Sequence, residues 1–514
     1  MSSYDSIVVG AGISGLICAN FLAKYGQKVL LVEQNHHAGG NMSGFRRRGY
    51  YFDGGDQSFE SLGLVFPLLE ELGVYDQQEW LKVRYRMISR DFDFFVDSIE
   101  EVEESLIGSF PHEEPGIRTM FKEIKEVSRF LSYNYTPNSF PLIHDFSLGK
   151  LLANAKWLPK LKRWLTFEYR EKACSVIKDP ALRSWFTHIG YYKMPYLFFS
   201  GFWHIWSKDY WYPVGGMQPF LDRLTAAFTD RGGEVRFNTS VEKVLISSGQ
   251  ATGVRIDTGE EIPAQHVVYA GDYKRLIGNI VPEHHFSPRL VKTVREARLT
   301  EALLSVYLGV NYEPRDLEAQ LSGGHHVFYF PNFEAVFPDR NSPEDIHRSM
   351  WMVINFFGEQ HSTLSAPPGK SSMVLQTYSS YDWQQFWKNG SESLQRSDAY
   401  RQLKEQAGRE LVETAKAILP DLDRRIDFFD CGTPLSLIRF SRNSHGASGG
   451  WCYHDKVSPV YRNRKLNMLH TPVENLYASG HYALWPGGVI SAALSGRLAA
   501  NLVTGRRLLT PLGS

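Results

Sequence analysis

The chain has 514 residues, 43% of them hydrophobic and 14% aromatic, which is ample for a large core and too long for one simple domain. Its 56 basic and 56 acidic residues balance, which argues against a nucleic-acid partner or a halophilic surface. The cysteines, Cys18, Cys174, Cys431 and Cys452, are far apart with no C-x-x-C, so neither a redox dithiol nor a zinc knuckle or other metal site is expected, and they read as reduced thiols of a cytoplasmic protein.

Residues 1–5 lead directly into a strand, without a basic and then apolar leader, so no secretory signal is expected. No uninterrupted run of about 18 apolar residues occurs, which disfavours a spanning helix. Residues 6–9 are a short β-rich run and Gly10-Ala11-Gly12 a tight turn. Residues 13–25 have helical periodicity through Leu16, Ile17, Ala19, Phe21 and Leu22, and Gly26 stops that helix. Residues 28–33 form the next strand, completing a β-α-β unit with G-x-G-x-x-G at Gly10, Gly12 and Gly15. Gly10 permits the turn, Gly12 lets the backbone approach a pyrophosphate, and Gly15 lets the helix pack close to the strand. The helix start at Ile13 and Ser14 offers free N–H groups and a positive dipole end to phosphates. Glu33, 21 residues after Gly12, ends the second strand, where a carboxylate accepts hydrogen bonds from adenosine ribose hydroxyls and disfavours a 2′-phosphate.

A nicotinamide dehydrogenase would run into another β-α unit. Here Gly39-Gly40-Asn41 follows, and then GFRRRGYYFDGGDQSF over residues 44–59, a glycine turn and a hairpin-like run that includes Gly55. Arg46-Arg47-Arg48 reads as a solvated hairpin edge or, alternatively, as a contact for phosphate or carboxylate. Residues 61–211 are helix-rich. Within them KWLPKLKRWLTFEYREK, residues 156–172, puts Leu161, Trp164, Leu165 and Tyr169 on one helical face, with Pro159 at the helix start. Six basic residues against two acidic ones give this stretch a net +4. It fits either an interfacial helix on an anionic bilayer or an ordinary amphipathic helix with solvated lysines. The aromatic run over residues 185–212 suits the wall of a long apolar cavity or a packed aromatic core.

Further on, Gly215-Gly216-Met217 opens an amphipathic helix with Leu221, Leu224, Ala227 and Phe228 on one face, ended by Gly232-Gly233. Residues 234–238 and 241–246 read as strands, and residues 251–272 as a hairpin turning at Thr258-Gly259. Near the end, residues 476–478 are a short strand, Pro486-Gly487-Gly488 a turn, and residues 489–502 a small-residue helix.

The order G-x-G-x-x-G, G-G, F-D-G-G, Y-P-x-G-G-M, A-P-P-G-K (Ala366 to Lys370), G-T-P (432–434) and closing P-G-G resembles the phytoene desaturase, carotenoid isomerase and retinol saturase family of FAD-dependent oxidoreductases. The resemblance covers nearly the whole chain. It implies an α/β fold: a Rossmann-like FAD-binding domain of the glutathione-reductase and amine-oxidase type, with a discontinuous mixed-sheet substrate domain and a helical cap. It divides the chain into FAD-binding segments 1–60, 212–290 and 466–514, and substrate and cap or membrane-contact segments 61–211 and 291–465. By the same resemblance Gly39, Gly40 and Asn41 lie along the pyrophosphate and ribityl chain, the Val241 backbone faces the adenine, and Gly480 adjoins the ribityl chain. The amides of Gly488, Val489 and Ile490 face the flavin pyrimidine ring, where negative charge gathers on reduction. Three positions depart from the family. Asn41 stands where Arg is usual, His481 where Asp is usual, and Trp485 adds bulk to the closing turn.

The sequence has no catalytic triad, G-x-S-x-G elbow, H-E-x-x-H helix or Walker loop, and no second G-x-G-x-x-G for a dedicated NAD(P)H domain. The resemblance therefore assigns the chemistry to the flavin. In desaturation a hydride leaves an allylic carbon for N5 while a base or water takes the vicinal proton, and oxygen or a quinone reoxidises the flavin. In isomerisation or saturation a reduced flavin acts on a similar lipid. His445, His454, His481 and Tyr482 fall in the family's C-terminal blocks, and His481 and Tyr482, beside the flavin turn, rank first as catalytic candidates. An apolar polyene or lipid is the expected ligand, with peripheral contact at the inner face of a membrane through residues 156–172. A flavin amine oxidase and a flavin-free lipid-binding escort protein are the other readings, although neither an aromatic cage nor a flavin-facing lysine can be placed.

Overall fold

The computed structural model describes residues 4–55, 57, 59–135, 148–191, 193–331, 352–379, 381, 384–389, 395–453, 458–462 and 467–506. The strands β1 (Tyr4–Val9) and β2 (Val29–Val32) are buried along nearly their whole length, as interior strands of a parallel sheet covered on both faces must be. They run parallel, with Ile7 beside Leu30 on one side and beside Val267 of strand Glu261–Tyr269 on the other. Glu234–Arg236 extends the sheet beyond β2, and Leu476–Ala478 extends it beyond Glu261–Tyr269. Gln250–Ile256 joins antiparallel to the first part of Glu261–Tyr269, around the turn expected at Thr258-Gly259, and Val241–Ser247 pairs antiparallel with the outer side of Gln250–Ile256. Stretches far apart in sequence thus build one sheet, and the strand expected over 234–238 ends at Arg236.

Between β1 and β2, α1 (Ile13–Lys24) is buried on almost every side, the pattern of a helix enclosed in a core. The closing helix Gly488–Val503 packs across it and is equally enclosed. Both helices approach their neighbours through bare backbone, α1 at the turn after β1 and the closing helix where it crosses α1. A Cβ on Gly15 would stand 1.9 Å from the Gly10 carbonyl oxygen, and one on Gly496 would stand 2.3 Å from the Ser14 carbonyl oxygen.

A second, mixed sheet follows the order Ile426–Gly432, Ala302–Val310, Ser371–Ser379, Met352–Asn355, His326–Phe330, Tyr85–Ser89, Asp93–Phe95. Along Ala302–Val310 side chains alternate between faces. Leu304, Val306, Leu308 and Val310 enter a core shared with Ala407 and Leu411 of helix Asp398–Ala415, whereas Leu303 joins the main core. The A-P-P-G-K block is a turn leading into Ser371–Ser379, its Lys370 paired with Asp427 at 2.8 Å. The arginine cluster sits on hairpin Gly44–Arg47 and Tyr50–Asp53. Arg46 donates to the Leu364 carbonyl at 3.1 Å and lies over the Tyr51 ring, as suits a solvated edge.

The stretch 156–172 is not one helix. Leu158–Thr166 ends, Phe167 and Glu168 are extended, and Tyr169–Val176 starts a second helix. The break turns Tyr169 inward, where its ring stacks on Phe199 at 3.9 Å and its hydroxyl donates to the Ile189 carbonyl. Trp164 is fully buried against Phe130 of helix Glu114–Asn134, and its Nε1 donates to Glu123 at 3.0 Å. Lys160 pairs with Glu126 and Arg163 with Glu123. Trp164 and Tyr169 of the expected apolar face therefore pack inward, Leu161 and Leu165 are half-buried, and Lys160 and Arg163 are paired with acids. No helix among the described residues is long and apolar enough to cross a membrane. The aromatic run packs ring on ring: Trp185 against Trp203 at 5.8 Å and Phe202 against Trp206 at 5.4 Å.

Candidate active site

A cleft follows the carboxyl ends of the parallel strands, the place where open α/β sheets take their ligands. At one end stand Gly10, Gly12, Ile13 and Ser14, together with Glu33, Ser240 and Val241. Glu33 is 5% exposed; its Oε2 accepts from Ala11 N at 2.8 Å, and its Oε1 from Asn35 N at 2.9 Å and Asn35 Nδ2 at 3.0 Å. A carboxylate has about four acceptor sites, so the protein leaves capacity for a ribose hydroxyl. Arg275 and Arg442 also line this end. Arg442 donates to Ser240 Oγ at 2.7 Å, and burial and the like charge of Arg275 lower its pKa. Gln34 and Asn35 hold the Phe440 carbonyl at 3.2 and 2.8 Å, so the chain around Phe440 and Arg442 straps the mouth of the cleft.

The middle of the cleft fits the phosphates of a dinucleotide. A Cβ on Gly12 would meet nothing within 4 Å, so this glycine opens onto the groove, while Gly40 approaches it from the facing turn. Asn41 donates to the Ser448 carbonyl at 3.4 Å, but its buried Oδ1 has no protein donor. Room beside a helix N-terminus suits a phosphate, and the buried acceptor suits a ligand hydroxyl next to it.

The F-D-G-G and Y-P-V-G-G-M blocks meet below this cradle. Asp53, 1% exposed, accepts from the Tyr51 hydroxyl, from the Tyr212 hydroxyl at 2.6 Å and from Met217 N at 3.1 Å. Burial pushes its pKa up to about 6 against the pull of those bonds. Gln376 Nε2 and the Tyr307 hydroxyl hold the Gly55 and Gly54 carbonyls at 2.9 and 3.0 Å, so the second sheet fixes the cleft floor. Gly55 has no space for a side chain, since its Cβ would stand 2.0 Å from the Asn41 carbonyl oxygen.

At the far end stand Glu60, Tyr191, Leu303, His481, Tyr482, Gly488 and Val489. Gly480 N donates to Ser495 Oγ at 2.7 Å, and Ser495 meets Ser14 Oγ at 3.1 Å, which ties this end to the start of α1. Tyr191 packs on Tyr453 at 5.2 Å and on Tyr378 at 5.4 Å, a wall of aromatic faces. Burial lowers His481 to about 4, so its imidazole is neutral at pH 7. Burial, helped by the negative charge of Asp272 and a hydrogen bond to it, holds the Tyr482 phenol protonated, and its ring stands edge-on to Trp451 at 5.0 Å.

Of the residues singled out from sequence, the fold assembles Gly10, Gly12, Ile13, Ser14, Glu33, Gly39, Gly40, Asn41, Gly55, Val241, Gly480, His481, Tyr482, Gly488 and Val489 along one cleft. Gly15 and Ile490 are buried without lining it. His445, at φ 59°, stacks on Tyr381 at 4.5 Å away from the lining, and His454 lies outside the described residues. Tyr191 belongs to the aromatic run read from sequence as a possible cavity wall, whereas Glu60, Arg275 and Arg442 were not singled out. These three reach the cleft through pairing and loop closure, which no local pattern announces.

The sequence profile of the flavin containing amine oxidoreductase family matches residues 13–504. The all-trans-retinol 13,14-reductase of Danio rerio is 25% identical, over 97% of this chain and 85% of that protein. The chloroplastic prolycopene isomerase of Arabidopsis thaliana is 26% identical, over 98% of this chain and 83% of that protein. Among solved structures, putrescine oxidase bound to putrescine shares the fold at a TM-score of 0.61 and 15% identity, over 98% of this chain and all (100%) of that chain.

Proposed function

The chain belongs to the flavin containing amine oxidoreductase family, and from that premise we propose that it is an FAD-dependent oxidoreductase acting on carbon–carbon bonds of an apolar polyene. One observation carries the substrate class: relatives named for a retinoid and a carotenoid align with 97–98% of this chain. FAD, rather than a shorter flavin, suits a cleft whose Glu33 and Val241 end has acceptor capacity for an adenosine ribose.

FAD, when bound, supplies a hydride acceptor or donor at N5 of its ring. The residues around it bind and orient. The start of α1 and the opening at Gly12 take the pyrophosphate, Asn41 Oδ1 accepts from the ligand, and Glu33 holds the ribose. Gly480, Gly488 and Val489 bring backbone close to the ring end. Tyr191, Leu303 and the neutral His481 and Tyr482 exclude water and give a hydrocarbon a wall without cations. In desaturation the vicinal proton passes to water or to a weak base. His481, at about 4, holds a proton poorly, and the Tyr482 phenol keeps its own.

A second reading, saturation or redox-neutral cis–trans isomerisation of a similar lipid, is favoured by the relatives named as a reductase and an isomerase. The test is anaerobic mixing of purified protein, with its flavin oxidised and then reduced, against a panel of polyenes, retinoids and fatty acids. Product masses that lose two hydrogens, gain two or stay constant identify desaturation, saturation or isomerisation. Protein that retains no flavin, or flavin that no polyene perturbs, overturns the proposal.

A further inference from the structure

Asp272 is 2% exposed and accepts from Lys274 N at 2.7 Å and from Ser444 N at 2.6 Å. One buried carboxyl group therefore joins the short helix Tyr273–Leu276, which carries Arg275, to the strap that carries Arg442. The join brings two guanidinium groups to the cleft, and they are the only Lys or Arg among its described lining residues. The neighbouring Lys274 turns away and donates to the Arg295 carbonyl at 3.1 Å. A guanidinium keeps its proton in a protein, so the charge of Arg275 opposes that of Arg442. Glu33 and Asp257 act on Arg442 through space, and Asp272 on Arg275. Among the described residues, however, neither guanidinium ion-pairs with a carboxylate; Arg442 spends one bond on Ser240 Oγ at 2.7 Å. Arg442 also has a left-handed backbone, φ 56°, which glycine takes most easily. Like charges held together without a salt bridge, one of them on strained backbone, cost stability by themselves, and an anion that joins them offsets that cost.

We propose that Arg275 and Arg442 form a cation pair that draws the phosphates of the dinucleotide into the cleft, so that the protein selects a phosphate-bearing flavin over uncharged riboflavin. The inference rests on the flavin-dependent reading above and names what selects its cofactor. The groove at Gly12 and Asn41 offers amides but no full positive charge, and the start of α1 adds about half of one. The two guanidinium groups supply the rest of the counter-charge that a pyrophosphate needs. Inside a cleft their field is focused, so it acts on the phosphates without requiring contact. Glu33 fixes the position of the ribose, and the pair supplies affinity that depends on salt.

The test measures binding, not turnover. The full-length protein, freed of flavin, is titrated calorimetrically with ADP, FAD and riboflavin at low and at high salt. Affinity for ADP and FAD should fall as salt rises, and affinity for riboflavin should not. Arg275→Gln and Arg442→Gln combined should weaken ADP and FAD about tenfold at low salt, flatten their salt dependence and leave riboflavin unchanged. Arg275→Lys and Arg442→Lys combined keep both charges and should bind ADP like wild type. Arg442→Gly removes one cation and relaxes the backbone, so its urea midpoint should be no lower than that of wild type while ADP weakens about threefold; it serves if the double Gln variant does not fold. ADP binding that ignores salt in the wild type, or that survives the loss of both cations, refutes the pair, and so does an equal weakening of riboflavin. Wild-type protein that binds neither FAD nor riboflavin refutes the functional reading beneath it.

Discussion

Substituting Gly12 and Gly15 separately by Ala distinguishes a glycine that serves a ligand from one that serves the fold. Gly12 precedes α1 with φ −68° and ψ 174°, a backbone any residue adopts, and an added Cβ meets nothing within 4 Å. Exchanging a glycine cap for alanine costs up to about 1 kcal/mol, and the smaller entropy of the unfolded chain returns about 0.4–1 kcal/mol. The stability of flavin-free Gly12→Ala should therefore stay within about 1 kcal/mol of wild type. Gly15 is different. Its Cβ would stand 1.9 Å from the Gly10 carbonyl oxygen, which the turn between β1 and α1 holds rigidly, and 3.3 Å from the Ala270 Cβ. Such overpacking costs about 1–3 kcal/mol or more, only partly offset by better helix propensity of about 1 kcal/mol. Urea unfolding of both flavin-free variants measures these terms, and fluorescence titration with FAD measures binding. Gly12→Ala should lose at least tenfold in FAD affinity, about 1.4 kcal/mol, with stability intact, whereas Gly15→Ala loses stability first. Gly12→Ala protein that binds FAD like wild type, or that unfolds as early as Gly15→Ala, would defeat the assignment of the groove.

Trp164→Ala should cost about 3–5 kcal/mol of stability, as for a large aromatic removed from a core, because the side chain is fully buried against Phe130; liposome co-sedimentation that collapses while stability holds would instead support the bilayer-facing reading. Burial lowers His204, His325 and His481 to about 4 and His326 and His361 to about 3. The unfolded chain binds protons below about 6.5 that these native imidazoles refuse, so stability present above that pH is lost as pH falls towards 4, on the order of 3 kcal/mol per histidine. Asp53, raised to about 6, has the opposite sign, since its native carboxyl takes a proton first and stability rises as pH falls from 6 towards 3.8. Burial also raises Glu168, Asp209 and Asp272, which act in the same direction as Asp53. The five strongly lowered histidines outnumber these four carboxyls, so urea midpoints should drop between pH 6.5 and 5, less steeply in His361→Gln; a flat profile contradicts this. Asn41→Ala removes the unpartnered acceptor in the cradle and should weaken FAD retention on gel filtration without lowering the flavin-free melting temperature.

The β-α-β unit, the hairpin around Arg48, the turn at Thr258-Gly259 and the closing helix were all legible in the chain, because each depends on local periodicity and on glycines within a few residues of one another. So was most of the nucleotide end of the cleft, where Gly10, Gly12 and Glu33 belong to one contiguous unit. The helix read over 156–172 failed because only the pocket beside Phe199 and the Ile189 carbonyl tells Tyr169 to turn inward. Glu60, Arg275 and Arg442 were not singled out, and the small-residue helix that holds Gly496 did not say what it would cross. Sequence alone determined that a dinucleotide could be held, since that task needs amides and glycines at fixed local spacing. Which charges surround it was decided by strand pairing and helix crossing between segments hundreds of residues apart, because electrostatic fields depend on distance through space and not along the chain.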